Sequence, residues 1–370
     1  MRCKITGLTI VHCTRKALAA LFLSALLALG SVAPGQQKPA RPSSPPPQED
    51  VQALIRVTSN LVVVPVTVKN AAGRIVLDIT RDEFRVFEDN VEQRVDIFSN
   101  DPFPLSVVIL IDNDLETRVA EQLERTLPAL AAGFGPMDEV CVARFDQTFK
   151  ECKEFTRDAD ELLTQLKRTH VQSSPPHTPA GGTLESGPKI NGIPAPGASQ
   201  IPPSGINLKG QPTKNVDDAV FAAANLLNDR GRERRKIILL VSDGVNSRHN
   251  RMSFNDSVRA LLTSGISVYG VGVGNAYFNR ELPVVSKFTR TTLSKYAHAT
   301  AGDVFYAAKR DEIEDLYPTV FEEARTQYTL AYTPRGTDRS LDYHAIEVRV
   351  KRPGLSIQAR DGYYSGAAPQ

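Results

Sequence analysis

Residues 106–327 alternate between apolar runs of strand length and amphipathic segments of helical length. The run SVVILID at 106–112 is continuous and rich in β-branched residues, which is typical of a strand buried on both faces. The next segment, 116–134, has its apolar residues at helical spacing, and Pro128 is expected to kink or end that helix. Alternation of this kind predicts an α/β fold with a doubly wound, mostly parallel sheet that helices cover on both faces.

The rest of the block continues the same alternation. Two short β-rich runs within 139–155 predict one antiparallel hairpin at the edge of the otherwise parallel sheet. The further predicted helices cover 158–166, 215–229, 253–264, 291–299 and 311–327, and the further predicted strands cover 236–244, 266–274 and 303–307.

Both flanks of this block have the residue pattern of β-structure. The predicted strands lie at 55–70, 73–80, 83–100, 328–334, 343–352 and 355–364, with a turn at Asp89 and Asn90. The simplest arrangement pairs them in one antiparallel, sandwich-like β-module, split between 51–100 and 328–365, into which the α/β domain of 101–327 is inserted. Two unrelated β decorations are the alternative.

Residues 1–33 have the order of a secretory signal, because positive charges come first and an apolar stretch of small residues follows. Cleavage is expected after Ala33 or after Gly30. A retained membrane anchor is the alternative, since the apolar stretch 17–33 reaches the lower limit for a span. No other segment predicts a membrane span, so the protein is expected to be exported, to the periplasm, the cell surface or the medium.

The signal also carries the positive charge of the chain. The formal net charge is +2 over 370 residues, and removing the four basic residues of 1–33 leaves a mature protein at −2. A protein that binds nucleic acid needs a concentrated basic face. The composition therefore argues against nucleic acid as a partner.

Two segments have the composition of linkers rather than of a core. Residues 34–50 contain six prolines and predict an extended tether between the signal and the fold. Residues 171–213 contain nine prolines and seven glycines and predict a disordered insertion in the α/β domain.

Two cysteines remain once Cys3 and Cys13 leave with the signal. Cys141 and Cys152 are centred on the turn of the predicted hairpin, and an oxidising compartment favours a disulfide between them. Two separately buried thiols are the alternative, because a shift of one residue in the hairpin register separates the sulfur atoms.

Acidic residues follow two strands of the predicted sheet. Asp112, Asp114 and Glu116 come at the end of the first strand, and Asp243 comes at the end of the strand 236–244. Ligands of doubly wound sheets bind outside the carboxyl ends of the strands. Several carboxylates at that edge suit a hard divalent cation, Mg²⁺ or Ca²⁺.

These elements together resemble a von Willebrand factor type A (VWA) domain. The resemblance rests on the strand that ends in Asp112, the hairpin, KIILLVSDG at 236–244 and ISVYGVGVG at 266–274. The flanking GRIVLDITRDEFRVFEDNVEQRVDIFS and VKRPGLSIQARDGYY are similar to a subfamily of exported bacterial proteins first recognised in Acidobacteria. With these flanks the resemblance extends over about 55–365, and it implies a Rossmann-like fold and ligand recognition through a metal-ion-dependent adhesion site.

The match to that adhesion site is incomplete. The family uses D-x-S-x-S, a later Thr and a (T/S)-D-G turn, which implies Asp112, Thr213 and Asp243 as metal ligands here, whereas Asp114 and Glu116 stand at the two hydroxyl positions. The Thr is one residue early for the family spacing, which falls on Lys214. Four carboxylates would repel an acidic ligand and raise one another's pKa values. Two outcomes follow: a self-satisfied cation site, or a vestigial site in which Lys214 replaces the cation.

No combination of residues typical of an enzyme is present: the six His are scattered, and neither HExxH nor GxSxG occurs. The chain is expected to be a non-enzymatic binding or adhesion module. Its partner would be an unidentified protein or extracellular matrix ligand at the carboxyl-end face of the sheet, bound with or without a metal. The alternative is a metal-independent structural or scaffold component of an extracytoplasmic assembly.

Overall fold

The computed structural model describes residues 61–150, 152, 154–168, 189–190, 193–194, 214–274, 291–307, 309–336 and 342–365. The predicted signal, the predicted tether and nearly all of the predicted insertion lie outside these residues, as does Thr213. Within the described ranges, the helices are all too short or too polar to cross a membrane.

Apart from the strand at 73–80, the predicted strands and helices form in the expected order, and residues 189–190 and 193–194 of the predicted insertion add a short antiparallel pair. The strands are β1 (Val62–Lys69), β2 (Phe84–Glu88), β3 (Val91–Gln93), β4 (Ile97–Ser99), β5 (Leu105–Asp112), β6 (Glu139–Phe145), β7 (Phe149–Lys150), β8 (Lys189–Ile190), β9 (Ile193–Pro194), β10 (Arg235–Ser242), β11 (Ile266–Gly272), β12 (Val304–Tyr306), β13 (Tyr328–Tyr332), β14 (Tyr343–Val350), β15 (Ser356–Ala359) and β16 (Gly362–Tyr364). The helices are α1 (Thr117–Ala132), α2 (Ala159–Lys167), α3 (Val216–Asn228), α4 (Phe254–Ser264), α5 (Thr292–Ala299) and α6 (Arg310–Thr326).

The central sheet has the strand order β12-β11-β10-β5-β6-β7. Every pairing in it is parallel except the last, in which β7 runs antiparallel to β6. Apolar side chains of β5, β10 and β11 alternate between two cores, one on each face of the sheet, against α1, α2 and α6 on one side and α3, α4 and α5 on the other. The prediction of a mostly parallel, doubly wound sheet is confirmed.

Local sequence signals fix several helix ends. The Asp158 side chain accepts hydrogen bonds from the first backbone N–H groups of α2, and Ser253 does the same for α4 within a capping box. Gly265 ends α4 in the left-handed region at φ 64°. The prediction that Pro128 ends or kinks α1 is wrong about the end, because the helix continues to Ala132 and buries Leu130 and Ala131 beyond the proline.

Strands from the two flanks pair with one another outside the central sheet. One antiparallel sheet has the order β15-β1-β13-β4, and a second has the order β16-β14-β2-β3. Their facing apolar residues, among them Val64, Val86 and Tyr328, share one core. We call these two sheets the β-module.

The strand predicted at 73–80 is wrong. After β1, the Asn70 side chain accepts the backbone N–H groups of Ala72 and Arg74, which closes a turn. Further along, the backbone N–H of Ile79 donates to the hydroxyl of Tyr328 rather than to a neighbouring strand. Pairing with β1 is limited to an isolated antiparallel bridge between Ile75 and Lys69, so no continuous strand forms here.

The β6–β7 hairpin brings two cysteines together. Cys141 on β6 and Cys152 after β7 form a disulfide with their Cα atoms 5.9 Å apart. Cys141 is completely buried against the face of the central sheet that α3 and α4 cover. The bridge therefore attaches the edge hairpin to the core of the α/β block.

A buried ion-pair cluster joins the β-module to the central block. Lys69, the last residue of β1, contacts the carboxylate of Asp303 and lies 2.6 Å from Oε2 of Glu323 on α6. Burial raises the pKa of Glu323 to about 7, although the Lys69 ammonium opposes this shift. Because the Glu323 carboxylate is held in a poorly hydrated place, it depends on the lysine for charge compensation.

We expect Lys69→Met to destabilise the protein by about 3 kcal/mol, because it leaves two carboxylates without their buried cation. Lys150→Met is the matched control, since the Lys150 pair with Asp146 is 3.0 Å long but far more exposed, and we expect it to cost less than about 1 kcal/mol. Urea unfolding measures both. Equal losses in the two variants would contradict a dependence of the junction on Lys69.

Candidate functional site at the carboxyl edge of the central sheet

Two neighbouring strands carry acidic residues to the same edge of the sheet. Strand β5 ends at Asp112, and Asp243 directly follows β10. The two strands are parallel partners, with Ile111 opposite Val241, so their carboxyl ends lie side by side. The sequence pattern predicted this juxtaposition, since the ends of parallel strands share one edge of a sheet.

The ammonium group of Lys214 lies between these two carboxylates. Lys214 is 4% exposed and stands just before α3. Its Nζ atom is 3.0 Å from Oδ2 of Asp112 and 2.9 Å from Oδ2 of Asp243. Both distances are those of direct, charge-assisted hydrogen bonds.

Asp112 is the most enclosed member of the site. Its side chain is completely buried, Oδ2 also accepts a 2.7 Å hydrogen bond from the Ser242 hydroxyl, and Oδ1 accepts the backbone N–H of Asp114 at 2.9 Å. Burial raises the pKa of Asp112 to about 6; the Lys214 ammonium counteracts this rise, and the Asp243 carboxylate adds to it.

Lys214 keeps its charge in this setting. Burial alone would lower the pKa of its ammonium group, but the attraction of Asp112 and Asp243 outweighs burial, so the pKa lies above its usual value. The site therefore contains a cation of its own at neutral pH.

Asp112 and Asp243, two of the predicted metal ligands, pair with that cation. The ion pairs of Lys214 are to Asp112 and Asp243, whereas Glu116 is exposed in the loop before α1 and Asp114 is partly buried. In the described part of the chain, this edge does not bring together three carboxylates with ligand atoms within 4.8 Å of one another. Since the ammonium stands where a cation between Asp112 and Asp243 would bind, the residues present do not fit a divalent metal ion.

A hydrogen-bond network fixes the main chain around Lys214. The Lys214 carbonyl accepts the backbone N–H of Ser247 at 2.8 Å, which ties it to the loop after β10. In the same loop Asn246 accepts the N–H of Val216 and donates to Asp217. The hydroxyl of Tyr296 on α5 donates to the same Asp217 at 2.7 Å. The loop and the start of α3 therefore hold the ammonium in one place.

The sequence suggested Lys214 as a replacement for the cation, which was one of two predicted outcomes. It did not indicate most of the residues that hold Lys214 in place. Ser242 is the first residue of the Ser-Asp-Gly turn, and this motif indicates that Ser242 lies close to Asp112. Asn246, Asp217 and Tyr296 gave no such signal, because no spacing in the chain shows that α3, α5 and the loop after β10 meet.

The pKa of Asp112 sets an expected pH dependence. Its folded-state pKa of about 6 is above the ordinary 3.8, so the stability that it contributes is complete below pH 3.8 and is lost as the pH rises through 6. We therefore expect the free energy of unfolding to fall between pH 4 and 7 by up to about 3 kcal/mol more in the unsubstituted protein than in Asp112→Asn.

Urea unfolding at a series of pH values measures this difference. Asp146→Asn is the control with the opposite sign: burial raises the pKa of Asp146, but the hydrogen bonds from Thr148 and Lys150 outweigh burial and lower it. The contribution of Asp146 is therefore lost as the pH falls. Parallel pH curves for the unsubstituted protein and Asp112→Asn would rule out the raised pKa.

Comparison with known proteins identifies a domain family for part of the chain. Residues 204–318 match the family model of the von Willebrand factor type A domain. The match includes Lys214 and Asp243 and begins after Asp112. No curated protein matches the chain.

Several solved structures are similar to the chain at low sequence identity. Conserved hypothetical protein BatB from Bacteroides thetaiotaomicron is 14% identical with a TM-score of 0.39, over 60% of this chain and 98% of that one. A von Willebrand factor type A protein from Catenulispora acidiphila is 7% identical with a TM-score of 0.43, over 84% and 76% of the two chains. The SpRpn10 VWA domain is 12% identical with a TM-score of 0.33, over 57% and 94%. Likeness at this level carries no inference about function.

Proposed function

We propose that this chain, which contains a von Willebrand factor type A domain, is an exported, non-enzymatic binding module that recognises a protein or matrix ligand without a metal ion. The ligand would bind at the carboxyl edge of the central sheet. The observation that carries the proposal is the position of the Lys214 ammonium, which bridges Asp112 and Asp243.

Replacing a divalent ion by an ammonium changes how a partner can be bound. A metal with open coordination positions accepts an acidic group from a ligand. Lys214 is 4% exposed, and its ammonium donates hydrogen bonds to two carboxylates of its own chain. It stabilises the edge of the sheet from within, so recognition falls to the side chains around it.

The acidic side chains around Lys214 favour a basic group on the partner. Asp112, Asp243, Asp114 and Glu116 bring four carboxylates to the ends of β5 and β10, where Lys214 pairs with Asp112 and Asp243. Glu116 is exposed, and Asp114 is partly so. Electrostatic complementarity therefore points to a Lys-rich or Arg-rich segment of a partner protein.

Two features support an exported protein. Residues 1–33 have the order of a secretory signal, and Cys141 and Cys152 form a disulfide. Disulfides persist in oxidising compartments and are rare in the cytosol.

A titration with divalent cations tests the metal-independent site. We expect up to millimolar MgCl₂ or CaCl₂ to leave the melting temperature of the unsubstituted protein unchanged, because a ligand raises it only by binding the native state. We expect Lys214→Ala to be destabilised by about 3 kcal/mol and to regain part of that loss in MgCl₂, since it leaves Asp112 and Asp243 without a cation.

Lys236→Ala is the matched control for this titration. Lys236 is also buried, but its ammonium donates to the carbonyl of Asn228, and it makes no ion pair with a carboxylate of the described residues. It should lose stability without responding to MgCl₂. A melting temperature that rises with MgCl₂ in the unsubstituted protein would overturn the proposal that Lys214 takes the place of the metal.

Selection from a displayed peptide library tests the binding face itself. We expect the selected peptides to be rich in Lys and Arg, to bind equally well in EDTA, and to lose about tenfold in affinity when Asp114→Asn and Glu116→Gln are combined. Glu121→Gln, at an exposed position of the same helix α1, should bind as the unsubstituted protein does. If no peptide depends on Asp114 and Glu116, the scaffold role is favoured instead.

A further inference from the structure

A second group of ionisable side chains lies in the β-module. Glu88 ends β2, Asp89 is the first residue of the following turn, and His344 lies on the neighbouring strand β14. Each offers a ligand atom, and these atoms all lie within 4.8 Å of one another. We call these three residues the Glu88 cluster.

We infer that the Glu88 cluster binds a first-row divalent transition metal ion, with Zn²⁺ the best match. One imidazole nitrogen and two carboxylates form a donor set that zinc accepts, with water as a fourth ligand. Calcium and magnesium prefer oxygen donors alone, so an imidazole ligand argues against both of these ions.

A buried oxygen atom without a partner gives independent support. Glu88 is completely buried, and its Oε2 atom has no hydrogen-bond partner, whereas Oε1 accepts a 3.2 Å hydrogen bond from the Tyr363 hydroxyl. Leaving a carboxylate oxygen unsatisfied in the interior is costly, which is why such atoms nearly always have a partner. A bound cation would provide one, as would the neighbouring Tyr332 hydroxyl, which also lacks a partner.

The distances within the cluster are close to those of a metal site. Nδ1 of His344 lies 2.7 Å from Oδ2 of Asp89 and 3.6 Å from Oε1 of Glu88. Bonds of about 2.0 to 2.1 Å in a tetrahedral zinc site place neighbouring ligand atoms about 3.3 Å apart. The two observed separations bracket that value.

Contacts around the cluster already orient its members. Oδ1 of Asp89 accepts the backbone N–H of Ala345 at 2.9 Å, so the opposite oxygen is the one that faces His344. The imidazole of His344 stacks on the Tyr363 ring at 5.0 Å between centroids. The hydroxyl of the same tyrosine donates a hydrogen bond to Oε1 of Glu88. Outer contacts of this kind fix the ligands of metal sites.

Charge balance also favours a divalent ion. Two carboxylates and a neutral imidazole sum to the charge that one Zn²⁺ cancels. The guanidinium of Arg360 lies 5.9 Å from the centre of the Tyr363 ring, on which His344 stacks. The Asp89 side chain is 25% exposed, which leaves one side from which an ion and a water molecule can enter.

The competing structure is a protonated His344 that pairs with both carboxylates and needs no metal. Zinc measurements on tag-free full-length protein, treated with EDTA and then dialysed against ZnCl₂, separate the two. We expect the bound zinc, measured by elemental analysis, to fall by one equivalent in Glu88→Gln and in His344→Gln. The melting temperature should rise with ZnCl₂ in the unsubstituted protein and not in these variants.

His298→Gln is the matched control, because Nδ1 of His298 lies 3.3 Å from a carboxylate oxygen of Asp361 at an exposed place. It should keep the full equivalent of zinc. If a cluster variant fails to fold, the absorption spectrum of the Co²⁺-loaded unsubstituted protein decides the question, since tetrahedral cobalt gives strong visible bands.

Zinc content that is equal in the unsubstituted protein and Glu88→Gln, or a cobalt spectrum of free hydrated ion only, would overturn the inference. Lys214→Ala should leave the one equivalent of zinc bound by the Glu88 cluster unchanged. The two sites can therefore succeed or fail independently of each other.

Discussion

The arrangement of the central block depends on one electrostatic constraint, which is that two carboxylates meet at the ends of neighbouring parallel strands. Asp112 is completely buried there, and Asp243 lies beside it. Two such charges cannot share a poorly hydrated place without a cation. Lys214 supplies that cation, so the start of α3 and the loop after β10 must both close over the sheet edge to keep it in position.

The same solution occurs a second time where the β-module meets the block. Lys69 lies between Asp303 and Glu323, as Lys214 lies between Asp112 and Asp243. In both places a lysine from an element outside the central strands joins two carboxylates from separate segments. Long-range ion pairs of this kind position whole elements relative to one another, because neither partner can move away without leaving the other buried and unpaired.

Sequence patterning was informative wherever a physical cause acts locally. Continuous apolar runs predicted β5 and β10 because a strand buried on both faces has no polar side, and helical spacing predicted α1 through α6. It failed at 73–80, where Asn70 and Tyr328 take the backbone donors, and at Pro128, where burial of the last turn outweighs the proline. The pattern could not predict the Glu88 cluster. Asp89 and His344 are 255 positions apart, and residue spacing does not indicate contacts over such a distance in the chain.

The pairing of β1 with β13 has a consequence for the order in which the chain can fold. Thr67 and Gln327 share a hydrogen bond across 260 residues, and the whole α/β block lies between them. Synthesis delivers β1 early, whereas the two strands that flank it in its sheet, β13 and β15, both belong to the last 43 residues of the chain. The central block can assemble early from its local βαβ units, whereas closing so long a loop makes the β-module slow to form. Until then β1 is an exposed, valine-rich edge, and the proline at position 65, unusual inside a strand, removes one of the donors through which another chain could pair with it.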